Sequence, residues 1–85
     1  MKTIILMNIS WVDSGMSTSE CLCTSTAVCL KDSIQEDLIE KALDNLEAQP
    51  DVYSLTVNKF EVTVDDEQAD SLMNDWNNFN PNDYI

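Results

Sequence analysis

Histidine and arginine are absent from this chain, glycine occurs once (Gly15) and proline twice (Pro50 and Pro81). Losing histidine removes the side chain that most often does general acid–base work and a main nitrogen ligand of tetrahedral metal sites. A single glycine leaves no glycine-rich phosphate loop, and Ser14-Gly15 does not form a nucleophile elbow. No stretch approaches the ~18 apolar residues of a membrane span. The apolar opening at residues 1–7 breaks at Asn8, with no small-residue cleavage site behind it. Calcium loops need an invariant glycine at a fixed spacing among their oxygen ligands, which neither residues 32–37 nor Asp65-Asp66-Glu67 supply. These absences turn the reading away from enzymes, cofactors and metals, and toward a soluble, reduced, cytosolic protein.

What the chain does have is negative charge. Sixteen Asp and Glu stand against four lysines, giving a formal net charge of -12 at pH 7 over 85 residues. Hydrophobic residues make up 44% of the chain, too many for a disordered acidic tail. The expectation is one globular domain over residues 1–85 with an acidic coat. Self-repulsion of this size lowers the stability of a small compact fold, so a compensating use for the charge is expected.

Residues 3–12 are apolar on both faces, Ile5, Met7, Ile9 and Trp11 against Ile4, Leu6 and Val12, which fits a central strand buried on both sides. Residues 13–19 read as a loop. Residues 21–30 alternate again, with Leu22, Thr24, Thr26, Val28 and Leu30 on one face, and a hairpin with the first strand is expected. Asp32 or Ser33 caps a helix, with Glu36 completing a capping box from Ser33; it runs to about Ala48 and stops before Pro50. Ile34, Leu38, Ile39, Ala42, Leu43 and Leu46 share one half of its wheel, and Glu36, Asp37, Glu40, Asp44 and Glu47 fill the other.

The next segment changes parity. Tyr53, Leu55 and Val57 are apolar at odd positions, Phe60, Val62 and Val64 at even ones. A two-residue turn at Asn58-Lys59 explains this by pairing the six on one face, and one long strand with a bulge is the alternative. Asp65 or Asp66 then caps a second helix carrying Ala69, Leu72, Met73, Trp76 and Phe79 at helical spacing, ended by Pro81. Trp76 and Phe79 read as core, Trp11 and Tyr84 as partly exposed, and the tail at 82–85 as mobile unless docked. The fold class is therefore α+β: a small antiparallel sheet of three or four strands with two helices packed on it, in the order β-β-α-β-β-α or β-β-α-β-α.

Cys21, Cys23 and Cys29 are odd in number, which argues against a disulfide framework. On one straight strand Cys21 and Cys29 lie about 26 Å apart, too far to share a tetrahedral ion. They read as core or half-buried thiols.

The acidic faces carry the functional reading. Glu36, Glu40 and Asp44 follow one another at i, i+4, with Asp37 and Glu47 beside them; like charges so spaced destabilise an isolated helix by about 0.2–0.5 kcal/mol per pair. Only Lys41 relieves them. Residues 65–85 add six carboxylates, Asp66, Asp70 and Asp75 among them, and no cation. Such a surface repels nucleic acid and anionic membranes and attracts basic, nucleic-acid-binding protein grooves. In size, acidity and α+β build the chain resembles the small phage-encoded inhibitors of bacterial defence, anti-CRISPR proteins and DNA-mimicking anti-restriction proteins. The resemblance implies a stoichiometric inhibitor in the host cytosol that occupies the Lys- and Arg-lined channel of a CRISPR effector complex. Glu36, Asp37, Glu40, Asp44, Glu47, Asp66, Asp70 and Asp75 are the expected phosphate-mimicking contacts. A regulatory adaptor that binds a protein through an apolar patch or a free sheet edge is the alternative, and a divalent-cation-binding domain a third reading.

Overall fold

A computed structural model of the chain describes residues 1–14 and 20–85; the part of the expected loop at 15–19 lies outside the described residues. The elements are β1 (Lys2–Asp13), β2 (Cys21–Leu30), α1 (Ile34–Glu47), β3 (Val52–Val64), α2 (Asp66–Asp75) and a short 3-10 turn, Pro81–Asp83. The strands form one antiparallel sheet in the order β2-β1-β3. The α+β expectation therefore holds in its five-element form, β-β-α-β-α, with three strands.

β1 sits at the centre because both of its faces are apolar. Its odd residues Ile5, Met7, Ile9 and Trp11 join Ala27 and Cys29 of β2 and Ile39, Ala42, Leu43 and Leu46 of α1 in the larger core. Its even residues Ile4 and Leu6 join Val28 and Leu30 of β2 and Ala69, Leu72 and Met73 of α2 in a smaller one. The two helices thus lie on opposite faces of the sheet. Each buried aliphatic side chain of this size stabilises the fold by about 1.5–3 kcal/mol.

The parity change in β3 is not a turn. β3 is continuous through Asn58 and Lys59, which stand opposite Asn8 and Met7 of β1. Leu55 and Val57 pack into the α1 core, whereas Val62 and Val64 pack into the α2 core. A strand crossing from cover on one face to cover on the other must switch its apolar positions by one, and that switch looks like a hairpin when read from sequence. The six residues therefore do not share a face.

A bulge is present, but nearer the start of the strand. Ser10 stands opposite Thr56 and Val12 opposite Tyr53, so Ser54 and Leu55 together oppose Trp11. Ser54 takes φ 57, the left-handed region. This extra residue is what turns Val52 onto the α1 face, where it is buried, and leaves Tyr53 exposed.

Both helices are capped as their sequences require. Ser33 Oγ accepts from Glu36 N–H at 3.2 Å, while Glu36 Oε1 accepts from Asp32 N–H at 2.8 Å; Asp65 caps α2 by accepting from Gln68 N–H at 2.7 Å. Ile34, expected on the apolar half of α1, is the first residue of the helix and is 80% exposed.

After α2 the chain crosses the outer edge of β2. The N–H groups of Asn78 and Phe79 donate to the Thr26 carbonyl at 2.8 and 3.0 Å, and Val28 N–H donates to Asn77 Oδ1 at 3.2 Å. Phe79 is then buried on the α1 face, with the Tyr84 ring stacked on it at 5.4 Å and Trp11 edge-on to Tyr84 at 6.4 Å. Asn45 Nδ2 donates to the Tyr84 carbonyl at 2.7 Å, so the tail is docked. Trp11 is buried rather than partly exposed, and Trp76, beyond the last turn of α2, is 59% exposed rather than core.

Two glycine substitutions test this account of β3. Lys59→Gly, which would create an ideal Asn-Gly hairpin turn, is expected to lower stability by about 0.5–1 kcal/mol, the cost of glycine within a strand. Ser54→Gly, at positive φ, is expected to be neutral or stabilising. Urea unfolding of both variants checks this; a stabilised Lys59→Gly contradicts a continuous β3.

Candidate interaction surface

Twelve residues of β1 span about 40 Å, whereas the ten of α2 reach only about 15 Å. The α2 face of the sheet is therefore covered over part of its length. Past Leu6 the central strand carries Asn8 and Ser10 on this face, and Asn8 is solvent-exposed in spite of lying mid-strand. Asn8, Ser10, Thr24, Thr26, Asn58 and Asn78 line a shallow depression of about 410 Å³. Beside it, Leu6, Phe60, Leu72 and Trp76 line an apolar groove of about 270 Å³, with Phe60 52% and Trp76 59% exposed. The lining of the two depressions contains no charged side chain.

Carboxylates stand on the outer side of the helix next to this neutral floor. Asp66, Glu67, Asp70 and Asp75 of α2 are all exposed. The amino terminus lies 3.5 Å from Asp66 and Lys2 Nζ lies 3.8 Å from Asp70, while Ser71 Oγ donates to Asp75 at 3.3 Å.

The α1 residues are placed differently. Asp37, Asp44 and Glu47 are exposed, with Lys41 between the first two. Glu36 and Glu40 are half-buried and turned to internal work: Glu36 holds the Asp32 N–H, and Glu40 forms an ion pair with Lys59 of β3. The row of Glu36, Glu40 and Asp44 expected from helical spacing, with Asp37 and Glu47 beside it, is therefore not presented outward as a row. The eight expected contacts do not share a surface either, since the five on α1 and the three on α2 lie on opposite faces of the sheet. Phe60, Trp76 and Glu67 were not among them. The signal for the two aromatics is the change at Asn8 and Ser10 from apolar to polar on β1, opposite Thr26 and Thr24, which leaves Trp76 a groove whose floor is apolar only at Leu6, Phe60 and Leu72.

Three of the four lysines and the amino terminus are occupied by the chain's own carboxylates, with Lys31 Nζ 2.6 Å from Glu61. That hydrogen bond and the charge of Glu61 raise the Lys31 pKa. At exposed sites such pairs contribute little to stability, so they thin the negative field without locking the fold. Among the described residues no group of three or more Cys, Asp or Glu comes together in a geometry that could hold a metal ion, and no helix is long and apolar enough to cross a membrane.

The cysteines divide by environment: Cys21 is exposed, Cys23 half-buried and Cys29 buried. Burial, reinforced by Glu36 and Glu40, pushes the Cys29 thiol from 9.0 up to about 11. The folded chain keeps this proton where the unfolded chain has released it, so Cys29 makes stability fall as pH rises from about 9 toward 11. Iodoacetamide at pH 8 is expected to label Cys21 in the folded protein and Cys29 only after unfolding, read by peptide mass spectrometry; equal labelling contradicts the buried site. No protein-family model matches the chain, and no curated protein and no solved structure matches it.

Proposed function

We propose that this chain is a non-enzymatic acidic protein that occupies the basic nucleic-acid-binding surface of another protein, as an anti-CRISPR inhibitor of the DNA-mimic type blocking an effector complex would. The observation that supports it most is the density of uncompensated charge. A net charge of -12 on a body 47 Å long and about 20 Å across comes to about one negative charge per 4 Å, close to the ~3.4 Å spacing along one nucleic-acid strand and sparser than the ~1.7 Å of a duplex.

The α2 side is the docking side in this reading. Glu67 and Asp75, with Asp66 and Asp70 whose exposed pairs to the amino terminus and Lys2 only partly offset their charge, supply the charge for steering toward a cationic cleft. Phe60 and Trp76 beside them are exposed aromatics of the kind that anchor protein interfaces. Asp37, Asp44 and Glu47 of α1 add to the long-range field from the far side. Glu36 and Glu40, engaged internally, are assigned to the fold rather than to the contact.

One set of observations favours the adaptor reading: the apolar groove between Phe60 and Trp76, and a free sheet edge along β3. The two readings separate by salt. Charge mimicry requires affinity for the partner to fall by about tenfold or more as ionic strength rises from about 0.1 M to about 1 M, whereas an apolar contact barely responds.

The direct test is competition between the chain and labelled target DNA for guide-loaded CRISPR effectors. The chain is expected to displace DNA from its cognate effector. Reversing Glu67, Asp70 and Asp75 to lysine together is expected to abolish displacement with the circular dichroism spectrum retained, while reversing Asp37, Asp44 and Glu47 weakens it only severalfold. An α2 triple variant that displaces DNA as well as the parent overturns the assignment to α2; a panel of effectors that all retain their DNA overturns the anti-CRISPR reading.

A further inference from the structure

The two outer edges of the sheet are treated unequally. The edge of β2 is bridged by residues 77–79 through Thr26 and Val28. Lys31 N–H donates to the Thr3 carbonyl at 3.0 Å, so the odd residues of β1 bond toward β2 and the even ones toward β3, as antiparallel ladders alternate. Val57, Lys59, Glu61 and Thr63 of β3 stand opposite odd residues of β1, and their N–H and C=O groups therefore point away from the sheet. Among the described residues no backbone group bonds to them. An open edge of this length is a template for another strand.

The sequence along that edge is complementary to itself. Residues 57–63 read Val-Asn-Lys-Phe-Glu-Val-Thr. When the segment meets a second copy antiparallel, with the two-fold axis at Phe60, Lys59 of each copy stands opposite Glu61 of the other and Val57 opposite Thr63. These are the residues whose backbone groups point outward, so the register also satisfies the hydrogen-bond alternation. Phe60 then faces its own copy at a position without cross-strand hydrogen bonds, where Cα atoms approach to about 4.5 Å and side chains meet most closely. An axis at Lys59 or Glu61 sets each charge against itself. An axis at Asn58 or Val62 sets Glu61 against Leu55 or Thr63.

We infer that this protein forms a homodimer by antiparallel pairing of β3 with β3 of a second copy, with the two-fold axis at Phe60. The four outward pairs at 57–63 supply about eight backbone hydrogen bonds, two for each hydrogen-bonded pair. Lys59 and Glu61 lie on the α1 face, where each already holds Glu40 or Lys31; pairing extends these into a row of alternating charge across the dimer. The axis is perpendicular to the sheet, so both α2 helices and both exposed Phe60 and Trp76 pairs end on the same side of a six-stranded sheet. Opposing the association is the repulsion between two bodies of charge -12, which is screened as the Debye length shrinks from about 10 Å at 0.1 M salt to about 3 Å at 1 M. The dimer is therefore strengthened by salt, the reverse of the dependence that charge mimicry sets for the partner, and it stands or falls independently of the proposed function.

The test is sedimentation equilibrium of the full chain at about 0.1 M and about 1 M NaCl. A dimer is expected, with a dissociation constant that falls as salt rises. Lys59→Glu and Glu61→Lys are each expected to raise that constant about tenfold, equivalent to about 1.4 kcal/mol. The double variant Lys59→Glu/Glu61→Lys is expected to return it to near the parent value. Both intramolecular pairs remain broken in the double variant, so this rescue reports the contact between copies. A second measurement fixes the register: with Cys21 and Cys23 changed to Ser, Phe60→Cys is expected to cross-link on mild oxidation, its Cα separation falling in the ~4.4–6.8 Å disulfide range. Val62→Cys, opposite Asn58, is expected not to. A monomer at both salt concentrations, a dimer indifferent to Lys59→Glu, a double variant no better than the singles, or equal cross-linking from both cysteine positions each overturns the inference.

Discussion

The structure depends on β1 being apolar on both faces. Ile5, Met7, Ile9 and Trp11 need cover on one side, and Ile4 and Leu6 on the other. A strand of this kind cannot sit at an edge or against a single layer without leaving several large side chains in water, at a cost of about 1.5–3 kcal/mol each. Among the described residues two short helices meet the demand, and neither spans the strand alone. α1 covers one face with help from Phe79 and Tyr84, which reach it by wrapping the β2 edge. α2 covers the other face only as far as Leu6. The switch of apolar parity in β3, the bulge that turns Val52 inward, and the uncovered floor around Asn8 follow from how two short helices are shared between two faces.

The sequence carries much of this in readable form. The double-sided pattern of β1, the alternation of β2, the Ser33 and Asp65 caps and the apolar stripe of α1 are local signals, and each survives folding. What was not legible depends on which element covers which face. Tyr53, Leu55, Val57 and Phe60, Val62, Val64 are consistent with a hairpin or with a strand serving two faces, and only the placement of α1 and α2 decides between them. Trp76 continues the stripe of Ala69, Leu72 and Met73, yet burial also requires a closed floor, and beside Leu6 and Phe60 the sheet next to Trp76 offers only Asn8 and Thr26. Trp11, at a strand end and so expected to be partly exposed, is buried by Tyr84 from the last residues of the chain, a contact no local pattern encodes.

The same limit applies to the acidic residues. Helical spacing correctly places Glu36, Glu40 and Asp44 along one flank of α1, but it is blind to Lys59 on a strand nineteen positions later, which takes up Glu40. Nor does spacing say that α1 and α2 lie on opposite sides of the sheet. Charge counted along the sequence therefore overstates how many carboxylates one partner can meet. The count on the α2 side is smaller, but those carboxylates stand beside exposed aromatic rings on a floor without charge, which is a better match to the anatomy of protein interfaces, with an apolar centre and a polar rim.

Net charge also bears on why an open strand edge is tolerable. Edges are usually blunted by inward charges, bulges or cover; here β2 receives cover, whereas β3 has its bulge at Ser54, outside the 57–63 segment, and carries Lys59 and Glu61 drawn over the α1 face by Glu40 and Lys31. For any acidic neighbour, including further copies in a growing stack, the field of -12 raises the barrier to approach at low salt. Among the described residues, 77–79 bridge the β2 edge at Thr26 and Val28, and a two-fold contact through the 57–63 edge of β3 pairs each copy with one other, so association through that edge closes at two. The bridge on β2 and the opening on β3 then form one arrangement, in which self-association through β3 takes up Phe60 at the seam while Trp76 and the carboxylates of α2 stay clear for a different, cationic surface.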